Sequence, residues 1–130
     1  MAEGTTVVAF GGNALIRARE QGSYGEQHHN VEITAAALTE LIKAGHHLVI
    51  THGNGPQVGN ILLQQECASG SVPPMPLDVC GAETQGQIGY MFQQAMSDAL
   101  QRAGIPRDVT TIVTQTLVDP GSAAFQHPSK

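Results

Sequence analysis

Two short apolar runs, each closed by a glycine-asparagine turn, constrain this chain more than anything else in it. Val7-Val8-Ala9-Phe10 enters Gly11-Gly12-Asn13-Ala14, and Leu48-Val49-Ile50-Thr51 enters His52-Gly53-Asn54-Gly55-Pro56. Apolar runs of this length, bounded by turn formers, predict buried strands. Between them Val31, Thr34, Ala35, Leu38, Leu41 and Ile42 follow helical spacing, and Gly45 stands where a glycine closes a helix. Strand, helix, strand in that order predicts a parallel pair joined by a right-handed crossover. Ligands of such sheets bind beyond the carboxyl ends of the strands, where both turns fall.

The remaining chain extends the pattern. Arg17 to Asn30 is polar, contains Gly22 and Gly25, and reads as a loop. Pro56 suits the first residue of a helix, where its missing N–H costs nothing. Val58, Ile61, Leu62 and Cys67 predict one buried face for that helix, and Ser69 to Pro76 breaks it. A longer helix follows, with Ile88, Met91, Phe92, Ala95, Met96, Ala99 and Leu100 on one stripe, ending near Gly104 and Pro106. Gly81, Gly86 and Gly89 lie in its first half. Each costs about 1 kcal/mol relative to alanine, so they point to close packing against another backbone or a ligand. Val109 to Val118, rich in β-branched residues, predicts a third strand turned by Asp119-Pro120-Gly121, and the chain to Lys130 reads as a loop.

Composition narrows the function classes. At 130 residues, 41% of them apolar, the chain can bury a conventional core, and with few aromatics that core must be aliphatic. The formal net charge is −5 and the six Lys and Arg residues are scattered, so the basic stripe that nucleic acid requires is missing. Cys67 and Cys80 lack C-x-x-C spacing and fit reduced thiols. The start of the chain has no signal-peptide pattern and no run is long enough to span a bilayer, which predicts a soluble, cytoplasmic protein.

Familiar glycine motifs fail on spacing. Gly53, Gly55 and Gly59 run G-x-G-x-x-x-G, one residue longer than the dinucleotide fingerprint, and no glycine is followed by lysine as a P-loop requires. What fits is an anion cradle of backbone N–H groups, helped by the helix that Pro56 opens, with the Asn13 and Asn54 amides as further donors. The bland alternative is that Asn-Gly and Gly-Gly merely make tight turns; two of them at two strand ends favour a shared site. Six histidines do not make a metal site: His46 and His47 are adjacent in a strand-type run and should point to opposite faces, and His28 and His29 fall in the polar stretch. His52 is open to either a ligand-contacting or a structural role. Arg17 and Arg19 are open to attracting an anion or to plain solvation. No nucleophilic triad and no spaced carboxylate pair is present, so the chemistry implied is binding and positioning.

Four blocks, in order, resemble carbamate kinases of the amino acid kinase superfamily. They are Gly11-Gly12-Asn13-Ala14-Leu15; His52-Gly53-Asn54-Gly55-Pro56-Gln57-Val58-Gly59; Pro76-Leu77-Asp78-Val79-Cys80-Gly81-Ala82 with Gln85-Gly86-Gln87-Ile88-Gly89-Tyr90-Met91; and Thr114-Gln115-Thr116-Leu117-Val118-Asp119-Pro120. Most relatives acting on carboxylates carry a lysine two residues before the first Gly-Gly glycine; here that position is Ala9, as in carbamate kinases. The resemblance implies a three-layer αβα fold with a mainly parallel sheet, and reversible transfer of phosphoryl between ATP and carbamate, giving ADP and carbamoyl phosphate with Mg2+, in arginine metabolism. It implies that Gly11, Gly12, Asn13, Gly53, Asn54 and Gly55 hold carbamate or carbamoyl phosphate, that Lys130 neutralises the migrating group, and that the protein is a homodimer. The family's Asp-Pro-x-Asp-Pro-Ala-Phe pattern is altered here to Asp119-Pro120-Gly121-Ser122-Ala123-Ala124-Phe125. Family members are more than twice as long, so residues 1–130 are expected to be the carbamate-binding part, truncated, with no nucleotide or metal site of their own and no activity alone. A non-catalytic binding module for small anions is the alternative; a dinucleotide-binding dehydrogenase module is disfavoured by the glycine spacing. An uncovered sheet face or unpaired edge is expected where the missing elements would pack, and with it self-association.

Overall fold

The computed structural model describes residues 4–127. Strand β1 (Thr5–Phe10) and strand β2 (His47–His52) pair in parallel, in a register that sets Thr5 opposite His47 and Phe10 opposite His52. Between them come a single helical turn, α1 (Gly12–Leu15), and the long helix α2 (Tyr24–Lys43); α3 (Gly55–Ala68) and α4 (Leu77–Arg102) follow β2. The order is α/β with a parallel sheet, as the sequence predicts.

Alternation along the strands sorts their side chains. Val8, Phe10, Leu48 and Ile50 turn toward α2 and α4 and join the core, whereas Val7, Ala9 and Val49 face away, with Val7 65% and Val49 47% exposed. The described residues thus supply the sheet and the helical layer on one of its faces. On the covered face Val31, Ala35, Leu38 and Ile42 of α2 interlock with Ile88, Met91, Phe92, Ala95, Met96, Ala99 and Leu100 of α4. Phe10 meets Phe92 edge to face, centroids 4.8 Å apart and planes at 89°.

Both long helices stop by the same device. After α2, Gly45 takes φ 97°, and the Gly45 and His46 N–H groups donate back to the Ile42 and Leu41 carbonyls. After α4, Gly104 takes φ 69°, and Gly104 and Ile105 donate to Gln101 and Leu100. These are Schellman closures, in which only glycine adopts the left-handed position without strain.

Three sequence expectations need correction. The polar stretch 17–30 is not all loop, because α2 begins at Tyr24. Ser23 Oγ accepts from the Glu26 N–H while the Glu26 carboxylate accepts from the Ser23 N–H, a capping box that starts the helix ahead of its apolar stripe. The expected buried face of α3 is absent as well: Val58, Ile61 and Leu62 are half-buried, Cys67 is exposed, and Gln57 is the buried residue. The segment Val109–Val118 is not a strand of this sheet, whose two described strands are β1 and β2. It runs along α4, where Gln85 accepts from the Thr114 N–H at 2.8 Å and donates to the Thr114 carbonyl at 3.3 Å. β-Branched residues favour extended backbone, but a strand also needs a neighbouring strand to pair with.

Of the α4 glycines, Gly89 alone is closely approached: a Cβ there would run into the Thr111 side chain, whose hydroxyl donates to the Gly89 carbonyl at 3.0 Å. Gly81 and Gly86 have no such neighbour. Beyond this segment, Asp119-Pro120-Gly121 makes the expected turn, closed by the Ser122 N–H on the Asp119 carbonyl.

Candidate functional site

Parallel pairing sets the two turns beside each other. Neighbouring strands lie about 5 Å apart, so with Phe10 opposite His52 the chain leaves the sheet at Gly11 and Gly53 side by side. In the first turn the Ala14 N–H donates to the Gly11 carbonyl at 2.9 Å, Gly12 and Asn13 open α1, and fully buried Leu15 anchors it to the core.

In the second turn Asn54 precedes α3 but does not cap it. Its Nδ2 donates instead to Thr84 Oγ1 at 2.8 Å and to the Gly81 carbonyl at 3.3 Å, both on α4. No side chain caps α3, Pro56 occupies its first turn, and no acidic residue stands there. The partial positive charge of the first-turn N–H groups is therefore not offset by a local carboxylate or hydroxyl.

Three glycines of the turns have no structural demand on them. Gly11, Gly53 and Gly55 are exposed, none has a left-handed φ, and a Cβ at any of them would meet nothing within 4 Å. Neither turn geometry nor packing calls for glycine. What glycine does here is keep the backbone N–H groups open to close approach.

Other candidates fall elsewhere. His52 is half-buried and its Nδ1 lies 3.1 Å from the Gly53 carbonyl, so it engages its own turn. Arg17 and Arg19 are exposed in the connection from α1 to α2, where Arg19 holds φ 80°. Lys130 lies outside the described residues. His28 and His29 approach Glu32 at 3.8 and 4.0 Å on the surface of α2, and no group of three or more His, Cys, Asp or Glu among the described residues could hold a metal ion. Cys80 is buried, and burial, then the Glu83 and Asp78 carboxylates, push its thiol pKa up, whereas Cys67 is exposed. An open cleft of about 470 Å³ runs between α2 and α4 beside Tyr24, His28, Tyr90 and Asp98; no residue of either glycine turn lines it.

Sequence reasoning missed a set of buried amides behind the turns. Gln27, Asn30 and Gln57 are each at most 4% exposed. Asn30 Nδ2 donates to the Leu15 carbonyl at 3.1 Å and to Glu20 Oε2 at 2.8 Å; Gln57 Nε2 donates to Gln27 Oε1 at 2.8 Å; and Gln27 Nε2 donates to the Gly22 carbonyl at 2.6 Å. The signal in the sequence was Ser23-x-x-Glu26, which would have put Gln27 and Asn30 on a helix face.

Known proteins share this sequence and fold. The amino acid kinase family matches residues 4–120. Carbamate kinase of Giardia intestinalis is 51% identical over 126 residues, which is 97% of this chain and 40% of that protein. Carbamate kinase of Pyrococcus horikoshii is 49% identical over 126 residues, 95% of this chain and 40% of that protein. The structure of carbamate kinase from Giardia lamblia bound to AMP-PNP superposes with a TM-score of 0.95 at 51% identity, over 99% of this chain and 45% of that one. The chain thus spans about 40% of the length of the curated relatives it matches. With a family match over most of its length and close agreement in fold, the chain belongs to the amino acid kinase family.

Proposed function

We propose that this chain is the substrate-holding part of a carbamate kinase, the enzyme class that transfers phosphoryl reversibly between ATP and carbamate. The observation that carries the reading is the diverted Asn54: it reaches across to α4 and leaves the start of α3 uncapped, beside a second glycine turn on the neighbouring strand. Gly11, Gly12, Asn13, Gly53, Asn54 and Gly55 would hold carbamate or carbamoyl phosphate through backbone N–H groups. Asn54 would contribute mainly by fixing its turn against α4.

Phosphoryl transfer depends on positioning and on cationic charge at the migrating group. Lys130 is the proposed source of that charge. One such cation is worth about 10³ to 10⁵ in rate, or roughly 4 to 7 kcal/mol. The relatives named carbamate kinase and the Giardia structure's AMP-PNP support ATP and ADP as the phosphoryl donor and its product. Neither turn contains a carboxylate, so no residue of this part is proposed to hold Mg2+.

The proposed working unit is a homodimer acting on small molecules in the cytoplasm. Among the described residues no helix is long and apolar enough to cross a membrane. Since the chain spans about 40% of its relatives, residues 1–130 alone should bind carbamoyl phosphate without transferring its phosphoryl group. Calorimetric titration with carbamoyl phosphate tests the reading: saturable heat is expected, and no heat together with no thermal stabilisation would sink it. ATP formed from ADP and carbamoyl phosphate by these 130 residues alone would show that they are more than the substrate part.

A further inference from the structure

Among the described residues, both glycine turns are tied to α2. Asn30 and Gln27, three residues apart on one face of that helix, each reach one of them. Asn30 holds the Leu15 carbonyl, the end of the short helix that Gly12 opens. Gln27 accepts from Gln57, two residues beyond Gly55, and is itself fixed by donating to the Gly22 carbonyl. On its other side the second turn is tied to α4 by Asn54.

Stability alone does not account for amides at these positions. A buried amide pair gains little over apolar side chains of the same volume. Asn30 Oδ1 and Gln57 Oε1 moreover accept from no group among the described residues, a cost an apolar residue would avoid. Hydrogen bonds do supply direction, which apolar contacts lack.

We propose that Gln27, Asn30 and Gln57 are positioning residues that set the spacing between the two glycine turns and so the fit of the bound anion. The inference rests on the proposed carbamate site, and its test separates the two. Gln57→Met keeps most of the side-chain volume and removes the tie to Gln27; Gln27→Met removes the same tie from α2 and serves if the first variant does not fold.

Two quantities are measured in each: the affinity for carbamoyl phosphate, and the hydrogen exchange of the Gly53 and Gly55 amides without ligand. With the melting temperature little changed, affinity should fall about tenfold and exchange should quicken about tenfold. The double variant should be no worse than Gln27→Met alone, because that variant already loses the tie to Gln57 along with its own bond to the Gly22 carbonyl. Unchanged affinity and exchange would overturn the proposal while leaving the site intact. Should the unaltered chain bind no carbamoyl phosphate, the site reading fails by itself, and exchange decides: quickened exchange upholds the tie and unchanged exchange overturns it.

Discussion

The two faces of the β1–β2 pair are built from the same kind of residue and have opposite fates. Val8, Phe10, Leu48 and Ile50 lie against α2 and α4, whereas Val7, Ala9 and Val49 one position along look into solvent. A half-buried sheet usually carries polar residues on its open side. Valine there marks a face made to be covered, and Ile112, Val113, Leu117 and Val118, exposed on the unpaired segment, carry the same mark. The difference teaches that burial in this chain is finished on the face that meets α2 and α4 and unfinished on the other. A chain spanning about 40% of its relatives can therefore present well-supported turns while much of its apolar surface is open.

The largest effect should come from the covered face. Phe92→Ala removes the edge-to-face partner of Phe10 and a ring that is 5% exposed, and should cost about 3–5 kcal/mol in urea unfolding. Next comes Gly89→Ala. The new methyl collides with Thr111 and should prise residues 109–114 off α4, at a cost of about 1–3 kcal/mol offset by about 1 kcal/mol of helix propensity. Adding Thr111→Ala should recover part of the loss; no recovery in the double variant would mean that the collision is not its cause.

Ser23→Ala should cost about 1 kcal/mol by removing the hydroxyl that caps α2. The same turn gives a pH dependence. Hydrogen bonds from the Ser23 N–H, then from its hydroxyl, hold the Glu26 carboxyl below its ordinary value of 4.5. The folded form therefore binds that proton less readily than the unfolded one, so the contribution is complete above the ordinary value and is lost as pH falls through the lowered one. Circular dichroism on acidification should show a small loss of helix, and Ser23→Ala should lessen the pH dependence.

The smallest effect on stability should come from the open face. Val49→Thr should change unfolding by no more than about 0.5 kcal/mol, yet reduce self-association in sedimentation. A loss comparable to that of Phe92→Ala would mean that the two faces are not as different as their exposure indicates.

Much of this was legible in the sequence because periodicity reports which side chains share a face. The α4 stripe is legible that way, the two strands are legible as apolar runs closed by turns, and Gly45 marks a true helix end. Where the pattern failed, partners decided. Val109–Val118 has the residues of a strand without a described strand beside it, and the apolar stripe of α3 gives no sign of what covers it. The start of α2 was hidden because its inward residues, Gln27 and Asn30, are polar. The turns were legible as turns; that Asn54 reaches Thr84 rather than capping α3 is a property of the packed helices.

The most direct measurement is the amide spectrum of the isotopically labelled chain during titration with carbamoyl phosphate. The Gly11, Gly12, Gly53 and Gly55 signals should shift together with one dissociation constant, while those of Gly70 and Gly104, which lie outside both turns, stay in place. Shifts confined to one turn, or centred on the cleft beside Tyr24 and Tyr90, would contradict a single anion site shared by the two strand ends.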